Sequence, residues 1–573
     1  MSNKNTSANN HGDDHAQDHA QDHGGKLLVK QLEKFGIERV FCVPGESYLP
    51  VLDALHDSTI KTTLCRQEGG AAMMAEAWGK FSNLPGISFV TRGPGATNAS
   101  AGVHVAQQDS TPMILFVGQV ALKNLGRDAF QEVNYQAFFG GMAKAVFQIE
   151  TTKDIPKVLK EAFEISLSGR MGPVVIALPE EVLTEDSKDH IEANFIHQET
   201  SITHSNIKIF KNLIEAANSP IVIAGGSGWD EASVAMLEAF AEKFQMPVAC
   251  SFRRQMLFTH THPHYAGDVG LGINPALKAE IENADLVILL GARMSEVASQ
   301  DYTLLKIPRP KQKLIHVHPS KDELGKLYET DLAIEAKPAE FMETISDLTP
   351  NFTPNRAQHV TRLNQSYQTW SLPQKSEAKF VQMPSVMETL KHHLKPDALL
   401  TNGAGNYATW IHRFWQFGGY NTQLAPTSGS MGYGLPAAIA GKLKFADKDV
   451  VCFAGDGCFQ MTCQEFGTAC QEGAAILVMI IDNGIYGTIR MHQERHFPHR
   501  TSATELQNPD FAQIAAAYGA FSAKIEVTED FEAALIEALR VTREEKRPAL
   551  LHLKTDPQAI TPNKTLDEIA TGG

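Results

Sequence analysis

Short, continuous apolar runs that end on glycine- or proline-marked turns and pass into helical segments recur along most of this chain. No other feature limits its fold so strongly. The first such runs are Val40–Val43 before Pro44-Gly45, Ile87–Thr91 before Gly93-Pro94-Gly95, Met113–Gln119 and Pro173–Pro179. A second block opens with Pro220–Ala224 and the turn Gly225-Gly226-Ser227-Gly228, and continues through Ala284–Gly291 and Lys313–Val317. A third carries Asp449–Ala454, Ala475–Ile481 and Ala549–Leu553. Uninterrupted apolar runs suit strands covered on both faces, and helices between them supply the crossovers of parallel sheets. The expected fold class is α/β: three domains, each with a mostly parallel, doubly wound sheet, and ligands at the carboxyl ends of the strands.

Polar, irregular stretches at 185–205 and 350–380 read as linkers. The division that follows is a tail over residues 1–24, α/β domains over 25–190, 205–350 and 380–557, and a C-terminal tail over 558–573. In the first tail His11, His15, His19 and His23 recur at every fourth position, which on a helix would line one face and could hold a metal. With almost nothing to bury, the segment reads instead as a disordered, solvated tail.

The net charge of −15 repels polyanions and argues against nucleic-acid binding. A phosphorylated ligand therefore needs local help from a metal, a helix start or backbone N–H groups. The seven cysteines show no CxxC spacing, so they read as reduced thiols, and Cys458, Cys463 and Cys470 as small buried residues rather than zinc ligands. No apolar run is long enough to span a membrane and no signal-peptide core is evident, so a cytoplasmic protein is expected.

One segment carries chemistry. The strand Val450–Ala454 ends in Gly455-Asp456-Gly457-Cys458, and the next, Ala475–Ile481, ends in Asp482-Asn483-Gly484. Glycines let the backbone approach a phosphate, Asp456 offers a hard oxygen for Mg²⁺, and Asn483 offers a neutral amide oxygen. Gly-Asp-Gly followed by Asn at this distance resembles the motif of the acetolactate synthase-like (acetohydroxyacid synthase large subunit) family of thiamine diphosphate enzymes. The likeness covers about residues 25–557. It implies pyrimidine-binding, central and pyrophosphate-binding domains, thiamine diphosphate with Mg²⁺ held by Asp456, Asn483 and the Ile485 backbone, and a homodimer or homotetramer. Active sites would then lie between the first domain of one chain and the third domain of its partner.

The same resemblance distributes further roles. Cys65-Arg66-Gln67-Glu68-Gly69-Gly70 is similar to the strand-to-helix turn that presents a catalytic glutamate, here Glu68, to the cofactor's aminopyrimidine ring. A buried carboxylate there suits general acid–base work. The run Ser428–Pro436 resembles the loop that bends the cofactor, with Gly429, Ser430 and Met431 against it, and Gly405, Asn406 and Tyr407 match a diphosphate-contacting turn. Thr91–Asn98 and Asp128–Glu132 are similar to synthase segments, which gives Gln131 a place at the substrate entrance. Tyr486 joins it, and Lys144 is either an entrance residue or a solvated surface lysine.

Three departures stand on the substrate side. Glu46 replaces a glycine of the synthases beside the reacting centre, Val297 stands where they carry a carboxylate-reading arginine, and His492 aligns with an acceptor-site tryptophan. Glu46, Gln131, Tyr486 and His492 are the substrate-side candidates. His104 stands alone, without the paired histidines of the decarboxylases, and reads as a core histidine. FAD stays open: Gly225–Gly228 could accept its diphosphate, but His318 stands where relatives often place an acid. The expected activity is decarboxylation of a 2-keto acid such as pyruvate, followed by ligation to a second carbonyl compound. The alternatives are a decarboxylase or aldehyde carboligase of the same chemistry, and a non-catalytic cofactor-binding regulatory subunit. The presence of Glu68, Asp456 and Asn483 argues against the last.

Overall fold

The computed structural model describes residues 22–572 apart from 83, 188–190, 193, 197–199, 201, 352–353 and 375–378. The tail expected over 1–24 lies outside the described residues up to 21. The two expected linkers lie partly outside them. The Nδ1 of His23 accepts from Lys26 N and caps the helix Gly24–Lys34.

Among the described residues, strands assemble into three six-stranded sheets. The first contains β1 (Arg39–Cys42), β2 (Lys61–Leu64), β3 (Gly86–Val90), β4 (Met113–Gln119), β5 (Ala145–Gln148) and β6 (Pro173–Pro179), in the order β2-β1-β3-β4-β6-β5. The second contains β7 (Pro220–Ala224), β8 (Val248–Ser251), β9 (Tyr265–Val269), β10 (Leu286–Leu290), β11 (Lys313–His318) and β12 (Leu332–Glu335), in the order β12-β11-β10-β7-β8-β9. The third contains β13 (Leu399–Asn402), β14 (Gln423–Leu424), β15 (Val450–Gly455), β16 (Leu477–Asp482), β17 (Phe521–Ile525) and β18 (Ala549–Lys554), in the order β14-β13-β15-β16-β18-β17. Neighbouring strands run parallel in all three. The α/β class and the parallel, doubly wound sheets expected from the apolar runs are what the structure contains. Every residue of β3, β4, β6, β7, β10, β15 and β16 is buried, which is why those strands read as unbroken apolar runs.

In a doubly wound sheet the crevice opens where the strand order reverses. In the third sheet that point lies between β13 and β15, and in the first between β1 and β3. The two sheets share one apolar core. The helix Glu68–Phe81 brings Met73, Met74 and Trp78 against Leu435, Ala437, Ala438 and Ile439 of the helix Gly434–Lys444. Charged groups are buried in the same seam. Glu76 accepts from Tyr433 OH and Thr111 Oγ1, both at 2.6 Å, and Lys80 Nζ lies 3.0 Å from Glu76 Oε1 and also binds Asp109. Asp109 in turn accepts from Thr427 N at 2.7 Å.

At the far end, Ile560, Leu566 and Ile569 pack on Ile485, with Met491 alongside, so the last residues return to the third sheet. No helix among the described residues is long and apolar enough to cross a membrane.

Candidate active site

A cavity of about 280 Å³ opens at the carboxyl ends of β13, β15 and β16. Its wall contains Gly405, Asn406, Tyr407, Gly429, Met431, Gly455, Asp456, Gly457, Cys458, Asn483, Ile485 and Tyr486. Nearly all the cofactor-side candidates, separated by up to some eighty positions in sequence, therefore meet around one space. The register explains the central pair. Gly455 pairs with Ile481, so Asp456 emerges beside Asp482 and one residue short of Asn483.

The glycines answer to packing. A Cβ on Gly457 would stand 2.5 Å from the Tyr486 ring, and Gly429 has φ +68°, a conformation that side chains disfavour. The Tyr407 hydroxyl accepts from Gly403 N at 3.0 Å and lies 3.2 Å from Cys458 Sγ, which also accepts from Gly432 N. Burial pushes both the Tyr407 hydroxyl and the Cys458 thiol up, so these groups are neutral braces for the turns around the cavity.

Asp456 is 3% exposed. Its Oδ1 accepts from Gly457 N at 2.9 Å, and its Oδ2 from Gly484 N at 3.0 Å. Burial, with Asp482 beside it, pushes this carboxyl up to about 6. Burial acts on Asp482 in the same sense, but His552 Nε2 at 2.7 Å and Lys554 Nζ at 2.8 Å hold it well below the usual carboxylate range. A buried carboxylate that shuns its own charge, next to a side-chain amide oxygen, is the donor chemistry of a hard divalent cation such as Mg²⁺. The glycine-lined space beside them fits a diphosphate.

The structure adds wall residues that the sequence did not single out: Val381–Pro384 at the start of the helix Met383–His393, Trp410, Thr488, Thr555, Ala559 and Ile560. Asn406 shows how the last segment closes the space. Its Nδ2 donates to Ile560 O at 3.2 Å, and its Oδ1 accepts from Thr488 Oγ1 at 2.8 Å. None of these positions carries a local motif. Ser430 is in the cofactor-side loop but not in the wall, and its hydroxyl donates to Met431 O.

The first-domain candidates form a second group. Glu68, on the turn after β2, accepts from Asn98 Nδ2 at 3.0 Å, and a Cβ on Gly95 would lie 3.5 Å from its Oε1. Gln131, with φ +64°, backs onto Gly93, and Glu46 accepts from Arg92 at 3.2 Å. All three therefore stand at the carboxyl ends of β1, β2 and β3. None of them lines the 280 Å³ cavity of the same chain. Glu68 is half-buried here, not enclosed as a catalytic carboxylate was expected to be. The turn that carries it is gripped from beneath by Glu465, a fully buried carboxylate of the third domain that accepts from Gln67 N at 2.8 Å and Arg66 N at 3.1 Å.

Other candidates separate further. Tyr486 lines the cavity, but His492, farther along the helix Gly487–His496, is exposed and stacks with His496 at 6.2 Å. His104 is not a core residue: it faces outward from the helix Pro94–Asp109. Lys144 is exposed, as the surface-lysine reading has it, but its ammonium is not free. Its ammonium donates to the carbonyls of Ile165 and Ser168 (2.6 Å to the latter), capping the helix Ile155–Leu167. In the central domain, Gly226, Ser227 and Gly228 border a cleft of about 540 Å³, with Arg254 and Lys337 on its wall. His318 is buried on β11, and burial lowers its pKa to about 4, so it is neutral.

Comparison with known proteins accords with this geometry. Three family models match in order: the thiamine pyrophosphate enzyme N-terminal TPP binding domain over residues 22–138, the central domain over 207–345 and the C-terminal TPP binding domain over 403–553. Similar curated proteins include the acetolactate synthase large subunit of Lactococcus lactis subsp. lactis, 32% identical over 90% of this chain and 92% of the relative. The acetolactate synthase isozyme 2 large subunit of Escherichia coli K12 is 28% identical over 93% and 95%, respectively. A probable acetolactate synthase large subunit of Methanococcus aeolicus is 30% identical over 94% and 92%.

Proposed function

The chain belongs to the thiamine pyrophosphate enzymes, in the line of the acetolactate synthase large subunits, and from that membership we propose how its two groups of residues divide one reaction. The activity is acetolactate synthase-like: a 2-keto acid, with pyruvate as the donor, is decarboxylated, and the two-carbon unit is joined to a second carbonyl compound. Thiamine diphosphate, once bound, supplies the stabilised carbanion that this chemistry requires.

The observation that carries the reading is the single cavity around Asp456, Asn483, Gly405, Gly429 and Met431, with Glu68 outside it. Asp456, Asn483 and the Ile485 carbonyl would hold Mg²⁺ against the diphosphate. Met431 would support the cofactor from the wall. Glu68 would hold or release a proton at the pyrimidine ring, and its half-buried position supports enclosure by the third domain of a second chain in a homodimer or a pair of dimers. Gln131 and Glu46 would then face the reacting centre from the same side as Glu68.

Val297 and Glu46 favour a second reading of the acceptor alone. Without a guanidinium at 297 a 2-keto acid acceptor loses a bidentate partner, and an aldehyde becomes the better acceptor. No flavin takes part in the reading. In the central cleft Arg254 is engaged by backbone carbonyls, donating to Gly226 O at 2.9 Å and to Asp109 O at 2.8 Å, with Lys337 also on the wall. The visible absorbance of the purified protein decides that point.

The test is complementation. Glu68→Gln and Asp456→Ala are each expected to lose roughly 10²–10⁴ in turnover of pyruvate. Mixed and allowed to exchange subunits, they should recover about a quarter of the wild-type rate, since half the dimers then hold one intact site out of two. No recovery would show sites built within one chain. Product analysis, acetolactate against acetaldehyde or acetoin, separates the two acceptor readings.

A further inference from the structure

We propose that Asn508 is a positioning residue for the metal: it fixes the Asp456 carboxylate by bridging it to Asp482. The proposal rests on the cofactor reading above and extends it to a residue outside every motif. Asn508 lies in the loop before the helix Phe511–Ala517. Its amide nitrogen donates one hydrogen to Asp456 Oδ2 at 2.7 Å and the other to Asp482 Oδ1 at 2.9 Å. Its oxygen accepts from Gln460 Nε2 at 3.1 Å. That assignment fixes the amide's orientation, because the flipped form would set an oxygen against two carboxylates.

The bridge has a fixed end. Asp482 is 1% exposed and is held by His552 and Lys554, so it cannot swing. Gly484 N spans the same pair, at 3.0 Å from Asp456 Oδ2 and 3.0 Å from Asp482 Oδ1. Asp456 is thus tied twice to an immobile neighbour through one oxygen. Without Asn508, two carboxylates on adjacent strand ends keep only one shared donor, and the Asp456 side chain gains freedom to rotate. Mg²⁺ tolerates little departure from octahedral geometry, whereas Ca²⁺ accepts flexible, higher coordination. Loss of an outer partner of a metal ligand commonly lowers affinity 10–100-fold.

The experiment is calorimetric titration of Mg²⁺, and separately Ca²⁺, into the full-length apoprotein with saturating thiamine diphosphate. Asn508→Ala should weaken Mg²⁺ by roughly 10–100-fold and Ca²⁺ by clearly less, so that the preference for Mg²⁺ falls. Gln460→Leu, which removes the group that orients the amide and with it a longer contact to the Asp456 carbonyl at 3.4 Å, should shift Mg²⁺ affinity in the same direction by a smaller factor, and serves alone if Asn508→Ala does not fold. Mg²⁺ binding within twofold of wild type in Asn508→Ala, or an equal loss for both cations accompanied by a lower melting temperature, overturns the positioning role. Asp456→Ala is the separate control. If it binds Mg²⁺ as tightly as wild type, the metal site itself is misassigned, whatever Asn508 does.

Discussion

Lys80→Met removes the ammonium between Glu76 and Asp109 while keeping most of the packed stem. The three side chains are 6%, 0% and 0% exposed, and both carboxylates bind the same Nζ. Hydroxyls of Tyr433, Thr111 and Thr427 stay in place, but no hydroxyl offsets two buried negative charges. The variant should therefore fold with one carboxyl protonated. At pH 7.5, protonating a carboxyl with an ordinary pKa of about 4.3 costs about 4 kcal/mol, at 1.36 kcal/mol per unit. That matches the 3–5 kcal/mol usual when one partner of a buried pair is removed.

The sign follows from proton binding. The folded variant holds one proton more than its unfolded chain, so the variant loses stability relative to wild type as pH rises, and at pH 5.5 the penalty should be only about 1.5 kcal/mol. Chemical denaturation of variant and wild type at both pH values measures the difference. The double variant Lys80→Met with Glu76→Gln should recover most of the loss, since glutamine keeps both hydroxyl partners. A penalty equal at the two pH values, or below about 1 kcal/mol at pH 7.5, would refute the buried-charge argument.

Two further expectations concern single groups. Glu465→Ala strands the Arg66 and Gln67 amides beneath Glu68 and should cost about 2–4 kcal/mol together with turnover, while Glu465→Gln, which can still accept both, should keep most of each; equal losses in the two variants would sink the grip proposed for this carboxylate. His260 is fully buried between Tyr367 OH at 3.0 Å and the Gln255 carbonyl at 3.1 Å, and burial lowers its pKa to about 3. A depressed folded pKa gives stability that is full above the unfolded value near 6.5 and is lost as pH falls toward 3. The free energy of unfolding, from denaturant titrations, should drop by about 1.4 kcal/mol per pH unit over that window, and His260→Gln should flatten the slope.

Much of the fold was legible because burial on both faces demands it. Met113–Gln119, Pro173–Pro179 and Pro220–Ala224 were read with their observed limits. Edge strands were not. In β2 only Thr63 is buried among Lys61, Thr62 and Leu64, and β14 is two residues long, so neither leaves a pattern to read. His104 went astray for a similar reason. Whether a lone polar side chain faces solvent, a core or a helix end depends on what packs over it.

The site divides along the same line. Gly455-Asp456-Gly457 and Asn483 stand out locally, since glycines and hard oxygen donors at the ends of adjacent strands leave a pattern in the sequence. Sequence alone therefore determined the three parallel sheets and the placing of Gly455-Asp456-Gly457 and Asn483 at adjacent strand ends. Tertiary structure decided the rest. It placed Glu465 under a turn some four hundred residues away, set Asn508 between two carboxylates, brought Ile560 back over the cavity, and left Glu68 on a separate face of the same chain. Those relations depend on how helices and loops dock on the sheets, and the contacts among them are one or two hydrogen bonds between segments apart in the chain. Local spacing carries no trace of such a contact.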